Sequence, residues 1–277
     1  MTQNFSSSFL IFFYQIALGG LFGLAITPFH ELERGFYKST AGVLFVIAIL
    51  SLWGKAAFYE RVLGDQFSLL TAAELLLHLA FGIAFACYLM SLWGERVKFR
   101  ARSFAWTVLT GLGGLILSAR DFYAAPLFSF ETVVYPLSFF LSALLLGSVT
   151  VGMLIGHWYL IDTGQSLEPF IRVYKFFIAA LVAQTAFMFL AGAALYLFGS
   201  ATSLQQIAAV AARHMTLLST RIIIGQIAPL CLGWMIWRTL LIPHTMAATG
   251  LFYIALLGVF VGEILGRQML ALTSLPF

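Results

Sequence analysis

The sequence predicts an all-α fold, a polytopic membrane helix bundle of eight transmembrane helices with both termini outside, and three observations lead to it. Of 277 residues, 61% are hydrophobic and 16% aromatic while only 9% are charged, and the mean hydropathy is +0.98. That leaves too few ionic groups to clothe a water-soluble globule. The apolar residues come in long blocks, and a bilayer asks for about 20 largely apolar residues per helix. Lys and Arg, finally, sit in the short connections and favour one side.

The first block, 9–29, follows Met1 to Ser8, which contains no Lys or Arg and so lacks the basic start of a cleavable secretory signal. It is read as a retained span. The second block is 39–57. The third, 69–93, contains the unbroken run 75-LLLHLAFGIAFACYLM-90, which excludes the short alternating segments of a membrane barrel. The fourth, 103–119, follows the basic run 96-RVKFRAR-102, and the fifth and sixth are 133–160 and 173–198. The seventh, 216–238, opens on 219-STRIII-224, and the eighth, 246–270, closes on 261-VGEILGRQML-270. The connections leave no room for a soluble domain, so residues 1–277 are read as a single transmembrane domain. Glycine pairs such as Gly19-Gly20 and Gly113-Gly114 read as close-packing points between helices.

Charge sets the orientation. The loops after spans one, three, five and seven carry Arg34, Lys38, Arg96, Lys98, Arg100, Arg102, Arg172, Lys175 and Arg238. The opposite side and its helix ends carry the smaller set Lys55, Arg61, Arg120, Arg213, Arg221 and Arg267. The positive-inside bias puts the first set in the cytoplasm. The run 96-RVKFRAR-102 also suits anionic lipid, although an orientation signal is the simpler reading. A net charge of +4 would suggest nucleic acid only on an exposed basic domain, and these charges lie in short loops, so no nucleic-acid partner is expected. Cys87 and Cys231 lie in apolar blocks without a C-x-x-C partner, so the chain offers no ligand set for iron–sulfur or structural zinc. A redox centre would then be haem, a diffusible lipid-soluble carrier, or a group on another subunit.

Ionisable groups in hydrocarbon cost at least about 2.5–3.5 kcal/mol and need a partner or a task. Glu74 and His78 lie four residues apart on the third span, and Glu263 and Arg267 four apart on the eighth, a spacing that puts each pair on one helix face. Arg221 enters the seventh span and Gln15 sits in the first. At a rise of about 1.5 Å per residue, all six fall roughly 6–13 Å below the outer surface. One shared layer suggests one site, with two separate sites as the alternative. A quinone suits such a layer: its carbonyl oxygens need hydrogen-bond donors, its ring and tail need apolar walls, and quinol oxidation needs a nearby base. Glu74 and His78 are the candidate proton-handling pair, with Arg221 and Arg267 setting the local potential and Gln15 a candidate donor. The plain alternative is that both helical pairs only hold helices together. Haem b would need paired histidines on different helices at one depth. His157 with His30 or His244 is the nearest approach, but all three lie at or near span ends, where interfacial histidines are ordinary, so haem b is disfavoured.

These residues resemble a known family. The ending 261-VGEILGRQML-270 is similar to the G-E-hydrophobic-hydrophobic-G-R ending of the dimethyl sulfoxide reductase membrane-anchor subunits, quinone-interacting anchors of molybdopterin oxidoreductases. Ser219, Arg221 and the isoleucines after it resemble that family's S-x-R-I opening. Gln15 with Gly19-Gly20 resembles its F-x-Q-x-x-x-G-G start, and Glu74 occupies the place of a family Glu. The resemblance implies a bacterial cytoplasmic-membrane anchor that holds an iron–sulfur subunit and a molybdopterin catalytic subunit on the outer face and exchanges electrons with menaquinone or another quinone. By that carry-over Glu74 lines the quinone pocket, and Arg221, Glu263 and Arg267 are structural or pocket-edge groups. The family's quinol-associated histidine beyond the second span has no counterpart in Lys55 to Leu69. Either His78 takes over its role or the chain belongs to a divergent branch. A b-type cytochrome subunit, a small-solute transporter and a structural scaffold are the rival functions.

Overall fold

The computed structural model describes residues 2–63, 68–123, 129–162 and 164–276. Arg61 lies outside the described side chains, and Thr163 and the 64–67 part of the second connection lie outside the described residues. Every regular element among the described residues is helical: α1 (Thr2–Ile26), α2 (Arg34–Leu63), α3 (Leu69–Ser91), α4 (Val97–Arg120), α5 (Glu131–Ile161), α6 (Glu168–Phe198), α7 (Ala201–Arg213), α8 (Met215–Ile222), α9 (Ala228–Leu241) and α10 (Thr245–Thr273). A π-helical stretch, Ile223–Ile227, joins α8 to α9, so the helix is continuous over Met215–Leu241.

Among the described residues seven helices are long and apolar enough to cross a membrane: α1, α2, α3, α5, α6, the joined α8–α9 and α10. The chain is a multi-pass membrane protein. The predicted fourth span corresponds to α4, which is long but falls outside that set. Lys98, Arg100 and Arg102 in its opening turns lower its apolarity. The connection between the sixth and seventh spans is not plain loop, because α7 occupies it. Ser200 caps α7 by accepting a hydrogen bond from the Ser203 amide at 3.3 Å, the usual service of a serine at this position. With 13 residues α7 is too short to register as a span.

α1 and α5 form the inner pair, with most of their side chains buried, whereas the other spans leave most of theirs facing outward. Those outward residues include Leu69, Ile83, Leu190, Leu197 and Leu257, as expected of a surface bathed in lipid. Glycine sets the separation of the inner pair. A Cβ on Gly19 would lie 1.7 Å from the Ala143 carbonyl oxygen, and one on Gly147 would lie 1.8 Å from the Gly19 carbonyl carbon. The two backbones therefore touch, as small-residue contacts between membrane helices permit. Gly20 packs on Leu44 of α2 and Gly114 on Tyr14 of α1, which bears out their reading as packing points.

Hydrogen bonds define the two ends of the bundle. At the first end Glu131 Oε1 accepts from the Ser200 amide at 3.1 Å and from the Ser203 hydroxyl at 3.2 Å. There the chain leaves α10 through Ser274, a left-handed residue at φ 56°, and folds back so that Tyr135 donates to the Ser274 carbonyl and Ser138 to the Pro276 carbonyl. At the second end Arg172 grips both oxygens of Glu31, at 2.9 and 3.1 Å, and the Tyr37 hydroxyl donates to the Pro28 carbonyl at 2.5 Å.

Candidate functional site

Toward the first end the bundle buries two ionic clusters. The first is built by α2, α3 and α4. Because α2 runs on to Leu63, Lys55 and Tyr59 fall four residues apart on one face and both reach Glu74 of α3. The Lys55 ammonium pairs with Glu74 Oε1, Tyr59 donates to Oε2, and Ser118 of α4 donates to Oε1. Lys55 also donates to the Ser118 hydroxyl at 2.8 Å. Glu74 is 2% exposed and Lys55 3%, so this is an ion pair in an apolar interior with extra donors on the carboxylate, the condition under which burial of two charges is tolerated.

His78 does not engage the Glu74 carboxylate. Its Nδ1 lies 2.9 Å from the Glu74 backbone carbonyl, which fixes that nitrogen as the donor of the neutral ring, and its ring lies 4.2 Å, centroid to centroid, from Tyr14 of α1. The four-residue spacing did place both residues on one face. The charge partner of Glu74, however, comes from another helix. Lys55, expected among the orienting charges of the opposite side and its helix ends, instead points into the bundle.

The polar chain continues past Glu74. The Tyr59 hydroxyl also reaches Asp121, in the turn after α4. Crowding by surrounding protein, followed by the negative charge of Glu74, pushes the Asp121 carboxyl up to about 6, although the residue stays open to water. Asp121 in turn lines a pocket of about 220 Å³ with Glu131, Tyr135, Ser203 and Gln206. Glu74, Tyr59 and Asp121 thus form a line of polar groups from the bundle interior to a polar opening.

The second cluster is built by α5, α6, α8 and α10. Glu263 stands between two arginines, 3.4 Å from Arg221 Nη2 and 3.3 Å from Arg267 Nη2. The Gln184 amide donates to Glu263 at 2.5 Å and to Ser142 at 2.9 Å, and Arg267 also donates to Ser142, at 3.2 Å. Arg221 Nη1 donates to the Gly262 carbonyl at 2.7 Å. The π-helical stretch shapes this contact. It faces Gly262 with Gly225, where a Cβ would lie 2.6 Å from the Gly262 Cα, and it turns Gln226 inward to accept from Thr185 at 2.5 Å. Such stretches recur at functional sites. Two guanidinium charges oppose one carboxylate here, and the Arg221 and Arg267 Nε groups have no hydrogen-bond partner. Part of the excess positive charge rests on the Phe139 ring, 4.7 Å below the Arg267 guanidinium.

The single cradle expected from a shared depth is therefore two clusters. Arg221, Glu263 and Arg267 meet in one, and Glu74 and His78 belong to the other. Gln15 lies between them and donates to the Phe139 carbonyl at 2.7 Å. The physical reason is the helix order: successive residues of α1 point about 100° apart, so Tyr14 faces His78 and Gln15 faces α5. Depth is legible in a sequence, but which helices are neighbours is not. Lys55, Tyr59, Ser118, Asp121, Ser142 and Gln184 were not singled out. A lysine inside an apolar block and a glutamine within the sixth span were the signals available.

His30, His157 and His244 are all exposed at the second end, and the His157 ring lies 3.3 Å from the Tyr253 hydroxyl. Among the described residues no group of three or more His, Cys, Asp or Glu is placed to hold a metal ion. The chain matches no protein-family model, no curated protein and no solved structure.

Proposed function

We propose that the chain is the membrane-anchor subunit of a respiratory oxidoreductase complex in a bacterial cytoplasmic membrane, binding menaquinone or another quinone beside the Glu74 cluster. In this reading α4 is the eighth crossing, both termini and the first end face outward, and an iron–sulfur subunit with a molybdopterin catalytic subunit docks on that face. The observation that carries the reading is the polar line from buried Glu74 through Tyr59 to Asp121 and its pocket. A quinol that is oxidised gives up two electrons and two protons. Its electrons pass to the docked partner, and its protons need acceptors that lead to water. Asp121, with a carboxyl near 6, is ionised at neutral pH and can take a proton and release it again. The motif resemblance in the first, third, seventh and eighth spans supports the same assignment.

Replacing Glu74 alone strands the Lys55 charge, so the test pairs Glu74→Gln with Lys55→Met. The doubly substituted complex is expected to assemble with its partners and to lose at least about tenfold in quinol turnover, the low end for loss of a proton-transfer group. Undiminished turnover at saturating quinol would remove Glu74 from the mechanism.

A further inference from the structure

A separate cavity of about 370 Å³ opens at the second end, far along the bundle from Glu74, and is lined among others by Leu24, Phe29, Tyr37, Tyr88, Arg100 and Phe104. Arg100 is its charged group. The guanidinium carbon lies over Phe29, 3.7 Å from the ring centroid, and the Nη1 is buried without a hydrogen-bond partner. Two acceptors of the neighbouring turn are already engaged: Glu31 is held by Arg172, and the Pro28 carbonyl accepts from Tyr37. A buried charged donor without an acceptor is costly, and a guanidinium matches a phosphate geometrically.

We propose that this cavity is a headgroup site for an anionic phospholipid, a role independent of the quinone reading. The phosphate accepts from the in-plane N–H groups of Arg100. Leu24 and Phe104 give the glycerol backbone and the first methylenes an apolar wall. Arg96, Lys98 and Arg102 in the same run supply the positive potential that favours a net-negative headgroup over a zwitterionic one. The apolar wall distinguishes a lipid from free phosphate, which would gain nothing from it.

The test is native mass spectrometry of the full-length chain in neutral detergent, titrated with phosphatidylglycerol, with phosphatidylcholine, and with phosphatidylglycerol in the presence of inorganic phosphate. Wild type is expected to retain one phosphatidylglycerol in preference to phosphatidylcholine. Arg100→Gln is expected to bind it about tenfold more weakly, the loss of one charge-assisted hydrogen bond, and Arg238→Gln, an exposed arginine of α9 outside the cavity, about as tightly as wild type. Should Arg100→Gln fail to fold, Arg100→Lys keeps the charge without the fork and is expected to bind with intermediate strength. Equal binding by wild type and the Arg100 variants, equal retention of the two lipids, or displacement of the lipid by equimolar phosphate would each overturn the proposal.

Discussion

Glu263→Gln is expected to prevent the protein from accumulating in the membrane. The substitution leaves Arg221 and Arg267 facing each other across a neutral amide, both nearly fully buried, with their unpartnered Nε groups already unrelieved. Breaking a buried ionic group by removing one partner costs about 3–5 kcal/mol, and here one carboxylate serves two cations. Total stabilities of about 5–15 kcal/mol leave little margin for such a loss. The measurement is membrane yield and thermal unfolding of the purified chain beside a variant in which Arg221, Glu263 and Arg267 are all replaced by Met, Leu and Met. That triple variant is expected to recover much of the yield, because it removes the charges together instead of stranding two. If Glu263→Gln matches wild type, the cluster is not what joins α8 and α10.

Gly19→Ala is expected to be comparably damaging despite adding one carbon. Its Cβ would sit 1.7 Å from the Ala143 carbonyl oxygen. The obstacle is backbone, so no rotamer change relieves it, and α1 and α5 must move apart along the whole inner seam. Overpacking usually costs about 1–3 kcal/mol where side chains can yield, and this site lies beyond that range. Gly42 of α2 is the control: nothing lies within 4 Å of its added Cβ. Gly42→Ala is expected to leave stability unchanged or to raise it by up to about 1 kcal/mol, the helix preference for alanine. Thermal unfolding in detergent of the two variants separates a steric from a conformational effect.

The helical, membrane-spanning character of the chain was legible because the apolar blocks are long, but helices run past those blocks: α1 begins at Thr2 and α4 at Val97. α2 is the instructive case. Its apolar block stops near 57, but the helix continues to Leu63, since backbone hydrogen bonds do not depend on hydropathy. That extension carries Tyr59, one turn beyond Lys55, to Glu74. α7 was missed because an amphipathic helix of 13 residues has neither the length nor the uniform apolarity of a span. Four-residue spacing found the Glu263–Arg267 contact, which lies within one helix. It paired Glu74 with the wrong atom of its own face, because Lys55, Tyr59 and Ser118 come from helices whose adjacency no spacing encodes.

The proposed seat of the quinone headgroup is beside Glu74, Tyr59 and Asp121, and photolabelling of the assembled complex with an azidoquinone, followed by peptide mapping, locates it. Label is expected on the peptides carrying Tyr59, Glu74 and Asp121, suppressed by excess quinol. Label confined to the second end, on the peptides of Tyr88 and Arg100, or label that excess quinol does not displace, would contradict it.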